Sequence, residues 1–336
     1  MKIKLITVAT ALLLTLCTLA SCGGNGGNGS ASTTPDASKP EKETVLRVGT
    51  LKGPTGMGMA KVVNDQKLSS SNPKYTFEFF GAPEDITAKL ISGNLDVAAV
   101  PVNLAAVINK KTNGAYVIAA INTLGVLHIV ENGNSVNSIA DLEGKTLHAT
   151  GQASTPEYML DYILEKNGLT GKVNIEWHTE HSELATLVAA GQVDLAMLPE
   201  PHVTSALVKN ASLRAAIDLT LEWDEVSDGD AVQGCLIVSR KAIESNKAKV
   251  DAFLDDYKAS VDYVNTSIVD ASAIIAELGI VGAAKIAEKA IPRCNIVFIE
   301  GDAMISSLKA FYTVLFNANP SSIGGTMPND SLYYKR

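Results

Sequence analysis

The stretch ISGNLDVAAVP, residues 91–101, returns as AAGQVDLAMLP at residues 189–199. Gly93, Asp96, Ala98 and Pro101 fall on Gly191, Asp194, Ala196 and Pro199, an offset of 98 residues. The same offset, without gaps, lays YTFEF (75–79) on VNIEW (173–177) and Gly53 on Gly151. One offset kept across three separated segments marks an internal duplication. In the first copy, 45–51 reads as a strand, Gly53 to Gly56 as a turn, 57–68 as a helix and 75–80 as a strand. Pro83, Glu84 and Asp85 open a second helix, where a Pro and acids suit the first turn; it ends at Gly93, before a short strand over 96–100. The second copy repeats this order over 146–198.

Strands alternating with helices predict an α/β fold of two similar lobes, with mostly parallel sheets flanked by helices. After the second copy comes one more strand, 234–239, then helices over 241–264, 271–290 and 302–317. This tail has no strand set of its own and is expected to pack on the first lobe. The lobes are then 44–126 with 236–336, and 127–235, joined by crossovers near 124–131 and 228–234.

Ahead of the lobes, residues 1–21 read as a targeting leader: Lys2 and Lys4, an apolar run from Leu5 to Leu19, then LASC ending at Cys22. The run is too short for a spanning helix, which needs about 20 apolar residues. Small residues before Cys22 resemble a lipobox, which implies a diacylated (palmitate-type) anchor at Cys22. Residues 22–43 hold almost nothing apolar and are expected to form a flexible tether.

Loss of Lys2 and Lys4 leaves 26 basic against 36 acidic residues, a net charge near −10. With five Arg in the chain and no basic stripe, nucleic acid is excluded as a partner. Of four Cys, Cys235 and Cys294 remain beside the leader and lipid cysteines; they either pair as a disulfide or stay as buried free thiols.

The order of motifs resembles the solute-binding proteins of bacterial importers for sulfonates, nitrate and thiamine-pyrimidine precursors. The motifs are LRVGTLKGPTG, ISGNLDVAAVP, SIADLEGKTL, AGQVDLAMLPEP, LIVSRKAIESNKAKVDAFLDDYKAS and SSIGGTMPNDSLYY, which together span nearly the whole chain after the tether. The resemblance implies the type 2 periplasmic-binding-protein fold, with a ligand cleft between lobes and an ABC permease as partner. A lipid-anchored, extracytoplasmic monomer that binds a small molecule is the corresponding expectation.

In open parallel sheets, ligands sit beyond the carboxyl ends of the strands. The expected contacts are therefore Gly53, Pro54, Thr55 and Gly56 in one lobe, and Gln152, Ser154 and Thr155 in the matching loop. The Ser and Thr residues have helix capping as their other reading. Asn103 and Glu200 follow the third strands; Glu200 is either a ligand acceptor or a helix-start acid. Thr123, His128 and Gln233 lie at the crossovers. Glu200 with the Asn and Gln residues leans toward a neutral or N–H-rich heterocycle, and the scarcity of Arg leans away from a strong anion.

His178, Glu180 and His181 are close enough in sequence to raise a metal site, but a solvated loop is expected, with no metal and no cofactor. The segment from Glu222 to Asp230 reads as a solvated acidic loop, with Trp223 leaning into the cleft as its other reading. Neither a G-x-S-x-G elbow nor a P-loop occurs. A binding protein rather than an enzyme is the expectation. Enzymes of menaquinone and thiamine-pyrimidine synthesis share the fold, and a sensory receptor subunit is a third reading.

Overall fold

The computed structural model describes residues 45–69 and 73–336; the expected leader, Cys22 and the tether lie outside the described residues. The chain runs β1 (Leu46–Leu51), α1 (Pro54–Met57), α2 (Ala60–Leu68), β2 (Tyr75–Phe80), α3 (Pro83–Ile91), β3 (Val97–Pro101), α4 (Val102–Lys111) and β4 (Tyr116–Thr123). It then crosses through β5 (Leu127–Asn132) into β6 (Thr146–Thr150), α5 (Thr155–Lys166), β7 (Asn174–His178), α6 (His181–Ala189), β8 (Leu195–Pro199), α7 (His202–Lys209), β9 (Leu213–Asp218) and α8 (Leu219–Val226). The duplication is visible in the bounds: α3 and β3 shifted by 98 residues become α6 and β8.

The return strand β10 (Gly234–Ser239) is followed by α9 (Arg240–Thr266), α10 (Ile268–Glu277), α11 (Ala284–Ala290), β11 (Ile296–Ile299) and α12 (Gly301–Ala318). One sheet has the order β11-β4-β10-β3-β1-β2 and the other β7-β6-β8-β5-β9. Omitting the edge strand β11, the two sheets share one strand order and one pattern of directions. Each is parallel except for one inserted strand, β10 or β5, and that strand is the one that has just returned from the other sheet. The mostly parallel expectation therefore holds by strand direction; the crossover strands, and β11 at the edge of the first sheet, supply the antiparallel members.

The inner strands are apolar because both faces are covered. All eight residues of β4 and all six of β10 are buried. Along β10, Cys235 and Ile237 join one hydrophobic cluster while Leu236 and Val238 join the other, as the two-residue period requires. Cys294 belongs to the second cluster, on the far side of the sheet from Cys235. The two are free, buried thiols, which decides against the disulfide alternative.

The repeated aspartates are structural. Asp96 takes a two-pronged contact from Arg47, at 2.9 Å from Nε and 2.8 Å from Nη2, tying β3 to β1. Asp194 accepts from Asn132 Nδ2 at 3.1 Å.

Three helix expectations change. The expected turn at Gly53 to Gly56 is itself a one-turn helix, α1, capped by Gly58, and the 57–68 helix begins only at Ala60, as α2. The 271–290 helix breaks after Glu277, with Gly279 at φ 67°. The supposed acidic loop is largely α8, and Trp223 is wholly buried away from solvent against Tyr162 and Phe311, its Nε1 donating to Gly229 O at 2.5 Å. The tail packs on the first sheet as expected: β11 pairs with β4, and Ser260 of α9 accepts from the N–H groups of Lys61 and Val62. Among the described residues, no helix is long and apolar enough to cross a membrane.

Candidate functional site

A cavity of about 460 Å³ opens at the carboxyl ends of β1, β3, β6 and β8, between the two sheets. Of the expected contacts, Gly53, Pro54, Thr55, Asn103, Thr123, Ser154, Thr155, Glu200 and Gln233 all line it. Gly56 and Gln152 do not. Gly56 is buried with its Cα facing Leu51 O, where a Cβ would come within 2.4 Å, so it serves the turn itself. Gln152 is exposed. His128 is buried in β5 and faces Asp218 at 3.5 Å instead of the cavity.

The cavity wall is built from helix starts. Pro54 begins α1, Pro83 α3, Thr155 α5, His181 α6 and His202 α7, while Pro101 precedes α4; each lines the cavity. Five of these helices have eight to twelve residues. Each start turns a partial positive charge toward one volume, although Val102 N–H already donates to Gln233 O, Thr204 N–H to Glu200, and Pro54, Pro83 and Pro156 carry no N–H. Gly53 (φ 88°) and Gly151 (φ 89°) make the two matching turns, a backbone region that side chains avoid.

Thr155 is 3% exposed and its Oγ1 has no hydrogen-bond partner. Ser154, by contrast, donates to Gly151 O at 2.6 Å, so its hydroxyl serves the turn. Gln233 is held by Thr123 O through its backbone N–H at 3.0 Å, fixing the second crossover against the first.

Glu200 lines the cavity, but its carboxylate is occupied. It accepts from Arg293 Nε at 2.6 Å, from Thr204 Oγ1 at 3.0 Å and from Thr204 N at 3.2 Å. That is the helix-start reading, reinforced by an ion pair, and it removes the reason for favouring an N–H-rich heterocycle.

The segment around His178 also differs from the solvated loop. His178 ends β7 with its Nε2 at 3.0 Å from His148 Nδ1, and His181 begins α6 in the cavity wall. His181 Nδ1 lies 2.6 Å from Thr150 Oγ1, and its ring centroid is 5.4 Å from that of His202. Burial pushes the pKa of His181 down; it pushes His202 down to about 4, with His181 and Lys209 adding to the effect. Both imidazoles are therefore neutral near pH 7. Among the described residues, no group of three or more His, Cys, Asp or Glu is placed to hold a metal ion.

Reading loops alone misses Lys52, Pro83, Glu84, Leu104, Pro199, His181 and His202, all in the wall. The duplication carried the missing signal. Pro83 and Leu104 shifted by 98 are His181 and His202, and Pro101 becomes Pro199. The cavity is thus lined by equivalent positions of two copies, with imidazoles on one side where the other has apolar residues.

Comparison with known proteins agrees with this architecture. An ABC transporter protein from Parabacteroides distasonis superposes with a TM-score of 0.74 at 24% identity, covering 87% of this chain and 99% of that one. The periplasmic aliphatic sulphonate-binding protein SsuA from Escherichia coli gives 0.68 at 17% identity, covering 88% and 95%. The desulfurization enzyme DSZB, at 0.57 and 11% identity, covering 82% and 92%, shows the same fold used for catalysis. No curated protein matches the chain by sequence. A family model described as "ABC transporter, phosphonate, periplasmic substrate-binding protein" matches residues 70–289, well over half the chain. The chain belongs to that family of periplasmic substrate-binding proteins, and its role is that of the solute-binding component of an ABC importer.

Proposed function

We propose that the cavity between the sheets captures a small organic anion and that the two lobes, 44–126 with 236–336 and 127–235, close over it. The observation that carries this reading is the convergence of helix starts on one volume, five of them from helices of eight residues or more. An anionic head is stabilised there without an arginine in the wall. Thr155 Oγ1, buried and unpartnered at the start of α5, is the side-chain contact assigned to the head. Leu104, Val126 and Leu127 with the wall prolines take the apolar remainder. The volume suits a ligand of ordinary metabolite size.

The phosphonate of the family's description and the sulphonate bound by the E. coli neighbour both have this form, a tetrahedral anionic head on a carbon chain. Closure bends the chain at the two crossovers, 124–126 and 227–233, and favours the closed form only by the ligand's extra affinity for it. The closed form is what the permease receives. No covalent chemistry is assigned to the cavity. A lipid anchor at Cys22 and a monomeric state complete the proposal.

The test is thermal unfolding of the chain from residue 45 onward with methylphosphonate, alkanesulfonates, nitrate and thiamine pyrimidines. A ligand at 100 times its Kd adds about 2.7 kcal/mol to the native state. A saturable shift with a tetrahedral organic anion supports the reading; a shift with the pyrimidines alone overturns it.

A further inference from the structure

The two copies differ in what they place at matching positions of the cavity wall. The first contributes Pro83 and Leu104, groups without a side-chain polar atom; the second contributes His181 and His202. A neutral imidazole carries one N–H donor and one bare nitrogen that can only accept. His181 uses Nδ1 toward Thr150 Oγ1. Among the described residues, His202 has no hydrogen-bond partner for either nitrogen, so it offers one donor and one acceptor to whatever fills the cavity.

We propose that His181 and His202 are the specificity-determining residues of the cleft, and that they select a tetrahedral oxyanion that keeps one proton over one that is fully ionised. This rests on the anion reading given above. A hydrogenphosphonate monoanion has ionised oxygens for the helix-start N–H groups and for the imidazole N–H, and one P–O–H to donate to the bare nitrogen. A sulfonate has the same shape and charge but no O–H. Once the lobes close, it leaves the bare nitrogen facing an oxygen lone pair, an acceptor without a donor. Sites built to bond a ligand hydroxyl reject the analogue lacking it for this reason.

Burial keeps both imidazoles neutral; at His202 the neighbouring His181 and Lys209 reinforce it, whereas at His181 the charge of Glu180 opposes it. Glu180 precedes α6 and Lys209 closes α7, on the flanks of the pair. The charge of Glu200, beneath α7, is met by Arg293. Burial outweighs these charges and holds His202 near 4. The acceptor is thus present above about pH 4, which includes the mildly acidic range in which an alkylphosphonate is its monoanion.

The experiment is titration calorimetry of methylphosphonate and methanesulfonate, two anions of one shape, between about pH 5.5 and 8.5. It uses the wild-type chain, His202→Leu and His202→Gln. Leucine is what the first copy carries at this position, as Leu104. Glutamine restores a donor and an acceptor. In wild type, methylphosphonate is expected to bind roughly 10- to 100-fold more tightly than methanesulfonate near pH 6. The preference should shrink as the phosphonate loses its second proton, vanish in His202→Leu and persist in His202→Gln. Equal affinity for the two anions overturns the inference while leaving the anion cleft standing. So does a preference that survives His202→Leu, or a parallel tightening of both anions as pH falls, which would signal imidazolium. Binding of neither anion overturns the anion cleft and this inference together.

Discussion

Arg293 Nε lies 2.6 Å from Glu200 Oε1, so a residue of the C-terminal tail holds the carboxylate that follows β8 of the second sheet. The Glu200 side chain is wholly buried and that of Arg293 about one-third exposed, at 36%. Arg293 Nη2 also donates to Thr204 Oγ1 at 2.7 Å, so the guanidinium spans two residues of the opposite half of the molecule. A buried carboxylate that loses its partner is far more costly than one that never had a charge.

Arg293→Ala is therefore expected to destabilise the native state by roughly 2–3 kcal/mol, below the usual cost of breaking a fully buried pair because the Arg end meets solvent. The double variant with Glu200→Gln should recover part of that loss. Chemical denaturation of the three variants measures it, and additive losses would show that the pair is not coupled.

Thr155→Val removes a hydroxyl that is buried without a partner while keeping the shape of the side chain. The ligand-free protein should be as stable as wild type or slightly more so. Ligand affinity should fall by roughly 10- to 150-fold if the hydroxyl meets the bound anion, the loss expected of one hydrogen bond to a charged group. Calorimetry beside thermal melting separates the two effects.

Gly53 combines φ 88° with ψ −156°, a conformation open essentially to glycine alone. No atom lies within 4 Å of the place a Cβ would occupy, so crowding contributes nothing. Gly53→Ala should cost about 1–3 kcal/mol through the backbone only. A melting curve that matches wild type would show that the turn can adopt another shape.

The low pKa of His202, about 4, makes stability depend on pH. The folded pKa lies below the unfolded value of about 6.5, so the unfolded chain binds the proton first as pH falls. Stability from this residue is fully present above about pH 6.5 and declines toward pH 4, by up to about 3 kcal/mol. Denaturation curves across this window should slope less in His202→Leu than in wild type.

Cys235 and Cys294 are wholly buried, and burial pushes both thiols far above the usual range. The thiolate is the reactive form, so neither should alkylate in the native protein. Both should label at once in denaturant without reductant. A disulfide-linked peptide pair in the mass map would contradict the free thiols.

Much of the fold was legible because duplication leaves a period that survives sequence drift. The offset set by Gly93 and Gly191 predicted α6 and β8 from α3 and β3. The antiparallel place of β5 and β10 was not legible, since which neighbours a strand joins depends on the path of the whole chain. Nor was the burial of Trp223: its acidic neighbours point to water while the indole turns inward, and composition averages the two. In the site, small residues and hydroxyls at strand ends led to the cavity, because backbone approach needs them there. His181 and His202 escaped because a histidine next to a glutamate or a proline looks like a surface residue until the helix it starts is aimed somewhere.

The wall of helix starts has a consequence for how such a protein changes over generations. On the proposed anion reading, its pull resides in main-chain N–H groups, which every non-proline residue carries alike. Point mutations can redraw the side chains at Thr155, His181 or His202, and with them the choice among anions. They cannot easily erase the attraction itself. The scaffold is thus free to drift from one solute to another without passing through a form that captures nothing.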